Sequence, residues 1–218
     1  MELAQIKIYR MTHIENVPHI LQYGIVHKNS SKTNPNFITT GDIRLIDTRS
    51  TKEVSVDNGD FLNFNSPTII LGDFIPFYFG IKMPMLYVMQ HGGNFVELPT
   101  PAEDIVYLVC SVSCIIHSNK VCYFTDGHAT DKLTTFYDVS KINYLPTLVD
   151  WSAVKASYWG GQENLNIKRK KQAEFLVSDD LPPNYIVNFG CYNRTAKEKL
   201  VNMGIKEEII KVIPNAYY

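Results

Sequence analysis

The amino-acid sequence predicts an α+β fold built as a single domain. Segments with the period of strands and segments with the period of helices follow one another in irregular order, without the strict β-α-β repeat of a parallel-sheet protein. No internal repeat and no Pro-, Gly- or Ser-rich linker divides the 218 residues. A chain of this length, with 45% hydrophobic residues, can bury a sizeable core. We therefore expect one domain over residues 1–218.

Local patterns predict the elements of the first half. Alternating side chains over residues 6–11 predict the first strand. Asn16 and Pro18 are typical of the start of a short helix, which Gly24 would end. The aromatic segment 74–79 reads as a strand, and its proline argues for an edge or a bulge. We further expect loops at 29–36 and 48–65, and a helix that begins at Pro84 and stops at Gly92.

The second half continues the mixture. Strands are expected at 105–112, 121–125, the segment through Glu174, 185–189 and 209–213. Helices are expected at 131–136 and 150–157, each with an aspartate as N-cap, and at 195–203 with Gly204 at its end.

Composition gives limited information about function. A net charge of −1 does not indicate a nucleic-acid-binding protein, although Lys168 to Lys171 could form a local basic patch. The four cysteines contain no C-x-x-C pair, so we expect small buried hydrophobes in a reducing compartment. The N-terminal residues lack the pattern of a signal peptide, and the longest apolar stretch, 105–116, is too short to span a bilayer. We expect a cytoplasmic protein.

Several standard enzyme motifs do not occur in the sequence. There is no G-x-G-x-x-G, no Walker A motif and no G-x-S-x-G, so a Rossmann site, a P-loop and a serine hydrolase are not supported. The six histidines lack the H-E-x-x-H spacing of a zinc site. We expect no metal.

Glu174 lies at the start of an apolar strand, directly behind the four cations 168–171. The period of two points Glu174 away from the face that carries Phe175. A single carboxylate there could stabilise a cationic transition state, with the basic run holding a polyanion. Alternatively, Glu174 forms a strand-edge salt bridge with Lys170 or Lys171, since charge runs are usually solvated.

A second group of residues lies at the end of the first strand. Arg10, Thr12 and His13 are followed by Asn16 at the start of a helix, and free helix N–H groups beside an arginine can bind a diphosphate or ribose. Alternatively, Arg10 pairs with a surface carboxylate and Thr12 only caps the helix.

Five sequence blocks resemble the DarT-type toxins, the DNA ADP-ribosyltransferases of toxin–antitoxin pairs. They occur in family order across nearly the whole chain and are Ile8 to Ile25, Asp73 to Phe79 with Met83 to Tyr87, Phe124 to His128, Trp151 to Trp159, and Lys171 to Val177. The resemblance implies the ADP-ribosyltransferase fold, a split mixed β-sheet with flanking helices that binds NAD without a glycine-rich fingerprint. NAD would be the co-substrate and nicotinamide a product.

The resemblance also implies an NAD site. A loop at 33–51 would fold over the cofactor, and Arg49 matches a family arginine at the reacting centre. Phe77, Tyr78 and Phe79 could flank the nicotinamide, although a core strand would look the same. The residues expected to bind NAD are Arg10, Met11, Thr12, His13, His19, His27 and Tyr78.

Glu174 would be the main catalytic residue of such an enzyme. Cleavage of the nicotinamide–ribose bond produces an oxocarbenium-like ribose, which a nearby carboxylate stabilises. The nucleophile would be a nitrogen of a DNA base, and Arg49 or Glu174 could assist its loss of a proton.

The segment 133–174 corresponds to the substrate loop of the family. Aromatic rings can stack bases and cations can follow phosphates, which suits single-stranded DNA. For Trp151 we prefer core packing. The residues expected to bind DNA are His128, Tyr158, Trp159, Lys168 and Arg169.

One departure from the family pattern concerns the target base. Thymine-modifying members have a Gly-Gly-x-Leu-His-Asp-Tyr run, whereas this chain has Gly72 and Phe74 in place of the His and Tyr. This favours guanine over thymine, unless the loss of the His is neutral. The resemblance further implies a monomer with a macrodomain-type antitoxin that removes the modification. Rival functions are ADP-ribosylation of RNA or protein, and a non-enzymatic nucleic-acid-binding module.

Overall fold

A large mixed β-sheet forms the framework of the protein. The structure, a computed structural model, describes residues 2–60, 62, 64–93, 96 and 98–218. Within them, eight strands form one sheet in the order β10-β9-β5-β1-β4-β8-β6-β7, and β2 pairs with β3 in a small second sheet. The strands are β1 (Lys7–His13), β2 (Glu53–Ser55), β3 (Thr68–Ile70), β4 (Phe74–Tyr78), β5 (Ile105–Ser111), β6 (Cys122–Thr125), β7 (Phe136–Asp138), β8 (Glu174–Ser178), β9 (Ile186–Cys191) and β10 (Ile210–Val212).

Short helices flank the sheet and connect its strands. Those described are α1 (Val17–Tyr23), α2 (Ile43–Thr51), α3 (Pro84–His91), α4 (Val112–Ile116), α5 (Leu145–Leu148), α6 (Trp151–Lys155), α7 (Leu165–Lys171) and α8 (Arg194–Asn202). The mixture of elements around one mixed sheet confirms the predicted α+β class.

The sheet is split between β1 and β4. Strand β1 pairs with β5 from Lys7 opposite Ser111 to His13 opposite Ile105, but with β4 only where Tyr9 faces Tyr78. Strand β4 instead pairs along its length with β8. Because β1 and β4 diverge beyond this one position, the sheet opens into a cleft.

The main core lies on one face of the split sheet. Phe77 of β4 and Phe175 of β8 are fully buried there and directly opposed across the strand pair. Each such side chain contributes about 1.5–3 kcal/mol by leaving water. Leu176 belongs to a separate cluster with Leu71, which confirms that Glu174 points away from the face of Phe175.

Most predicted helix ends are confirmed. Gly24, Gly92 and Gly204 have φ values of 87°, 73° and 96° at or just after the ends of α1, α3 and α8. Asp150 caps α6 by accepting a hydrogen bond from the Ala153 amide at 3.1 Å. At Asn16, however, the side chain makes no helix cap and bonds elsewhere.

The prediction of an edge or bulge position for Pro76 is wrong. Strand β4 lies between β1 and β8, inside the sheet. Proline is tolerated because β1 has already diverged, so Pro76 needs no ladder partner on that side. Its carbonyl accepts a hydrogen bond from Nη1 of Arg10 at 3.0 Å.

Two predicted elements are also corrected. The segment 48–65, expected to be a loop, includes the end of α2 and the whole of β2. Helix α2 forms here because Asp42 caps it by accepting a hydrogen bond from the Leu45 amide. Phe61 and Asn63 of this segment lie outside the described residues. The helix expected at 131–136 is a turn leading into β7. There Asp131 accepts from the Leu133 amide, which competes with helix formation, and burial of Phe136 completes the sheet.

The cysteines follow the prediction with one exception. Cys110, Cys122 and Cys191 are buried, whereas Cys114 is exposed on α4, and all four are free thiols. Burial raises the pKa of the Cys110 thiol to about 12, so this side chain behaves as a small hydrophobe. No helix among the described residues combines the length and apolarity needed to cross a membrane.

Candidate active site

A cleft of about 500 Å³ occupies the gap between β1 and β4. Arg10, Met11 and Thr12 of β1 line one wall, and Pro76 and Tyr78 of β4 line the other. The volume falls within the range of small-molecule and cofactor sites. Three of the predicted cofactor residues of the first strand, Arg10, Met11 and Thr12, therefore face a cavity that can hold a dinucleotide fragment.

The segment 33–51 covers this cleft. Thr33, Phe37 and Thr39 line it from the loop, and Arg49 lines it from α2. Asn16 holds the segment in place, because its side chain accepts from the Ile38 amide and donates to the Ile38 carbonyl, both at 2.9 Å. Sequence reasoning took Asn16 for a helix cap and missed this role.

Glu174 forms an ion pair with Arg49. Nη1 of Arg49 lies 3.1 Å from Oε1 and 2.9 Å from Oε2 of Glu174, and the two side chains are 11% and 1% exposed. The Ala129 amide also donates to Oε1 at 3.1 Å. The two residues expected to be catalytic are thus in direct contact and largely shielded from water.

The alternative salt bridge of Glu174 with Lys170 or Lys171 is wrong. Nζ of Lys170 pairs with Asp150 at 3.0 Å, and Nζ of Lys171 donates to the Val154 carbonyl at 3.0 Å. The basic run is not a solvated face either, because Lys171 is buried within α7.

Two buried atoms of this pair keep unused hydrogen-bonding capacity. Beyond the ion pair, Oε2 of Glu174 and Nη2 of Arg49 make no hydrogen bond to any described residue. Buried polar atoms without partners are costly, so their presence points to a ligand that completes them. A ribose hydroxyl of NAD fits, since it can donate to the carboxylate and accept from the guanidinium.

Arg10 supplies a second cation at the base of the cleft. Burial and the charge of Arg49 lower the pKa of Arg10 to about 10, so the guanidinium stays charged at neutral pH. Arg10 forms no ion pair with any described residue, so the alternative of a surface salt bridge is wrong. The N–H groups of Arg10 that do not bond to the Pro76 carbonyl can bind a diphosphate. Nor does Thr12 cap the helix, because its hydroxyl accepts from Asn16 at 3.1 Å.

The histidines predicted to bind the cofactor divide into two groups. His27 lines the cleft, with Nε2 2.8 Å from the Gly72 carbonyl. His13 and His19 do not line it: Nδ1 of His13 accepts from the Glu15 amide, and His19 packs on Tyr23. The structure does not bring these two to the cleft.

Of the three aromatic residues expected to flank the nicotinamide, Phe77, Tyr78 and Phe79, only Tyr78 lines the cleft. Phe77 and Phe79 are buried in the main core. Burial, together with the nearby charge of Glu174, raises the pKa of the Tyr78 phenol, so Tyr78 remains a neutral hydrogen-bond donor.

His128 lies next to Glu174. Its neighbour Ala129 donates to that carboxylate, and Nδ1 of His128 lies 2.8 Å from the Thr130 hydroxyl. Burial lowers the pKa of His128, so the imidazole is neutral at pH 7. The Lys52 ammonium donates to the Thr130 carbonyl at 2.9 Å and ties this turn to the end of α2. Sequence reasoning missed Ala129 and Lys52, because backbone contacts leave no signal in residue type.

The other residues predicted to bind DNA lie in and around α7, within the 133–174 segment that contains β7, α5, α6 and α7. Tyr158 is 68% exposed, and Nζ of Lys168 lies 5.3 Å from the Trp159 ring centroid. Arg169, in contrast, is buried in an ion pair with Asp126 at 3.1 Å. A cation committed in this way is poorly placed to contact phosphates.

Trp151 packs against the core, as expected. Its ring meets Phe79 edge to face with centroids 5.7 Å apart, and its indole N–H donates to the Pro146 carbonyl at 2.9 Å. No cluster of three or more metal-ligating side chains occurs among the described residues.

The split mixed sheet, with a cleft at the split, matches the ADP-ribosyltransferase fold that the resemblance implies, and a buried carboxylate lies beside the cleft. Residues 9–218 match a family model described as "ssDNA thymidine ADP-ribosyltransferase, DarT". The chain belongs to the DarT family. This confirms the resemblance drawn from the sequence and, with it, the predicted class of NAD-dependent DNA ADP-ribosyltransferases.

Relatives and solved structures agree with this assignment. A DNA ADP-ribosyl transferase of Thermus aquaticus is 30% identical over 213 residues, covering 97% of this chain and 83% of the relative. One of Escherichia coli O127:H6 is 29% identical, with coverage of 88% and 83%. The structure of Thermus sp. 2.9 DarT with ADP-ribosylated ssDNA superposes with a TM-score of 0.79 at 26% identity, covering 98% and 96% of the two chains. That of the same protein with carba-NAD+ gives 0.72 at 26% identity, with coverage of 98% and 98%.

Proposed function

We propose that this protein transfers ADP-ribose from NAD+ to a thymine of single-stranded DNA and releases nicotinamide. The observation that carries the proposal is the buried Arg49–Glu174 pair, whose two unsatisfied atoms lie beside a cleft of dinucleotide dimensions. The Thermus sp. 2.9 DarT structures with carba-NAD+ and with ADP-ribosylated ssDNA support both substrates.

The proposed reaction replaces one glycosidic bond with another. The bond between the anomeric carbon of the ribose and the nicotinamide nitrogen breaks, and the same carbon bonds to a nitrogen of the base. Glu174 stabilises the positive charge of the oxocarbenium-like transition state, while Arg10, Thr12 and Tyr78 hold the dinucleotide in the cleft.

The base nitrogen must lose a proton during this reaction. Of the two residues considered for this role, Arg49 is a guanidinium cation and has no acceptor atom. Glu174 is a carboxylate, whose oxygens accept. Glu174 is therefore the better proton acceptor, and Arg49 orients it.

Thymine is favoured over guanine as the target. The description of the matching family names thymidine. The sequence argument for guanine rested on Gly72 and Phe74. At Gly72, a Cβ atom would lie 2.6 Å from the backbone oxygen of Ser50. Close packing of α2 thus accounts for this glycine without any role in base selection. Guanine remains the alternative, on the strength of the departure at Gly72 and Phe74.

The proposal also covers the biological role of the protein, the removal of the DNA modification and the cellular compartment. A fusion protein of Thermosipho africanus, 28% identical over 96% of this chain, joins a DNA ADP-ribosyl transferase to a DNA ADP-ribosyl glycohydrolase. By analogy, we propose a toxin–antitoxin system in which a macrodomain-type glycohydrolase removes the modification. We further propose that the protein acts in the cytoplasm as a monomer, with residues 1–218 folded as one domain.

The two rival functions are disfavoured to different degrees. A non-enzymatic nucleic-acid-binding module does not need the buried Arg49–Glu174 pair. The basic patch expected at 168–171 is also incomplete, because Arg169 and Lys171 are buried. RNA or protein as acceptor is disfavoured by the comparisons and not by the geometry of the site.

The test is mass spectrometry of single-stranded oligonucleotides incubated with NAD+ and protein, each oligonucleotide carrying a single thymine or a single guanine. Addition of one ADP-ribose to the thymine oligonucleotide, lost in Glu174→Ala, is the expected result. An adduct on the guanine oligonucleotide alone would overturn the choice of base. Adducts on RNA or protein but on no DNA would overturn the proposed substrate.

A further inference from the structure

A cluster of aromatic side chains lies outside the cleft. Tyr87 and His91 of α3 contribute two rings, and Trp159 and Tyr218 contribute the other two. Two lysines accompany them. We call this group the aromatic platform, and it consists of Tyr87, His91, Trp159, Tyr218, Lys82 and Lys168.

The rings of the platform are held in fixed mutual positions. Tyr87 and His91 stack with centroids 4.3 Å apart and planes at 16°. Tyr218 meets Tyr87 edge to face at 5.2 Å, and Trp159 meets it at 5.9 Å. Despite these contacts, Tyr87 keeps 42% of its surface exposed and His91 is exposed as well. A ring that is both fixed and accessible is suited to stacking.

The Tyr218 hydroxyl connects two parts of the platform. It accepts the indole N–H of Trp159 at 2.7 Å and donates to the Lys82 carbonyl at 2.8 Å. The side-chain amide of Gln90 bonds to both the N–H and the carbonyl of Tyr218, at 3.0 Å and 3.3 Å. Tyr218 therefore pins the 133–174 segment to α3.

The charge of the platform is positive. Nζ of Lys82 lies 4.9 Å from the Tyr218 centroid, and Nζ of Lys168 lies 5.3 Å from that of Trp159. Neither lysine forms an ion pair within the part of the chain that the structure describes. The exposed rings are those of Tyr87 and His91, and the two cations lie over the half-buried rings that contact Tyr87. Exposed rings with cations nearby match a single-stranded nucleic acid, whose bases stack and whose phosphates are negative.

Helix α3 lies between the platform and the cleft. Met85 and Met89 of α3 line the cleft, and Tyr87 and His91 follow each of them by two residues, which places them on the opposite side of the helix. The platform and the cleft are then separated by the diameter of one α-helix, roughly 10–12 Å. A DNA strand with its target base in the cleft can therefore cross α3 and reach the platform.

We infer that the aromatic platform binds nucleotides flanking the target base and that Tyr218 is a positioning residue for this subsite. The inference rests on the proposed function, because it assumes single-stranded DNA as the substrate. It adds Tyr87, His91, Lys82 and Tyr218 to the DNA-contacting surface. None of them was singled out by the sequence.

The first test compares Tyr87→Ala with the wild type on a long thymine-containing oligonucleotide. KM for the DNA should rise about five-fold or more, as expected for the loss of one stacked base, while kcat and the Kd for NAD+ stay the same. Tyr23→Ala is a matched control. Like Tyr87, Tyr23 is a partly exposed helical tyrosine (38% exposed, on α1) that packs on a histidine, with its ring centroid 4.7 Å from that of His19. This variant should leave KM unchanged.

Shortening the DNA separates the platform from the catalytic centre. Oligonucleotides trimmed one nucleotide at a time, on either side of the thymine, should lose the difference between wild type and Tyr87→Ala once the platform is out of reach. An equal defect at every length, or no defect at full length, overturns the subsite.

Tyr218→Phe tests the positioning role. The ring and its contact with Lys82 remain, but the hydroxyl that holds Trp159 is lost. KM should rise for long DNA and not for trimmed DNA. A lower Tm with unchanged KM means that Tyr218 is only structural, which overturns this part of the inference.

Failure of the proposed function has a different signature. In that case the wild type forms no DNA adduct at any length. The platform is then judged by fluorescence anisotropy with labelled single-stranded DNA, where equal affinity of the wild type and Tyr87→Ala overturns it.

Discussion

Nη1 of Arg49 lies 2.9 Å from Oε2 of Glu174, although 125 residues separate the two in the chain. One residue belongs to the helix that follows the loop over the cleft, and the other begins a central strand. The contact therefore joins the covering segment to the sheet at the point where chemistry is expected. Loss of either partner should affect both the fold and the reaction.

Glu174→Gln should reduce the rate of ADP-ribose transfer about 10²- to 10³-fold. The amide keeps the shape of the side chain but not the charge that stabilises an oxocarbenium-like ribose. Initial rates at saturating NAD+ measure the effect, and the Kd for NAD+ should change much less. Glu198→Gln, in the exposed pair with Arg194, is the control and should keep full activity. Activity within a few-fold of wild type in Glu174→Gln would contradict the assigned role.

Arg49→Ala should destabilise the protein by about 3 kcal/mol, because it leaves the buried Glu174 carboxylate without its partner. The double variant Arg49→Ala/Glu174→Ala should be less destabilised than the sum of the two single variants, since it removes the stranded charge. Urea unfolding of all four proteins gives the coupling energy. Additive effects would show that the pair does not act as a unit.

Gly72→Ala should lower the free energy of unfolding by about 1–3 kcal/mol through overpacking. The added Cβ would lie 2.6 Å from the Ser50 backbone oxygen, so α2 would have to shift and carry Arg49 with it. Denaturant unfolding checks stability, and initial rates should fall as well. In Gly41→Ala, the nearest atom to the new Cβ is 3.9 Å away, so the change in stability should stay within about 0.5 kcal/mol. Equal effects in the two variants would argue against the steric explanation.

Lys171 should make the protein more stable as pH rises above neutrality. Burial and the charge of Lys82 lower the pKa of Lys171 from 10.5 to about 8 in the folded protein. Between these values the unfolded chain binds a proton that the native state lacks, so the free energy of unfolding increases with pH.

The measurement is urea unfolding between about pH 8 and about pH 9, because the tyrosines of the unfolded chain ionise extensively near pH 10. Burial raises the pKa of the Cys110, Cys122 and Cys191 thiols, which lowers the free energy of unfolding as pH rises, so the effect of Lys171 has to be measured as a difference between two proteins. Lys171→Met is the comparison, because it keeps an apolar chain of similar length while removing the titrating group. The free energy of unfolding of the wild type should increase relative to that of Lys171→Met as the pH rises. Parallel curves would exclude Lys171 as the source.

Elements with strong local signals were predicted well from the sequence. Pro84 and Gly92 bound α3, and Asp150 caps α6, because proline, glycine and capping aspartate act within a few residues of themselves. Local signals failed at Asp131, where the same residue type formed a turn. Burial of Phe136 in the sheet, a long-range effect, decided that segment.

The candidate site shows the same division. The strand pattern singled out Glu174, and the resemblance gave it the catalytic role. The resemblance also gave Arg10, Met11, Thr12, His27 and Tyr78, which all line the cleft. The partner of Glu174 was assigned from sequence proximity to Lys170 or Lys171, and that was wrong. Both lysines point to partners on α6 or its cap, whereas Arg49 arrives from a distant segment.

The sequence alone determined the α+β class and the family and gave Glu174 as the candidate catalytic carboxylate, because strand period, capping residues and ordered motif blocks are local properties of the chain. Only the tertiary structure decided where β1 and β4 part, which cations are buried and which aromatic rings share a surface. Those features depend on contacts between residues far apart in sequence, whose energies depend on distance and burial rather than on residue type. The aromatic platform joins residues 82 and 218 and was therefore visible only in three dimensions.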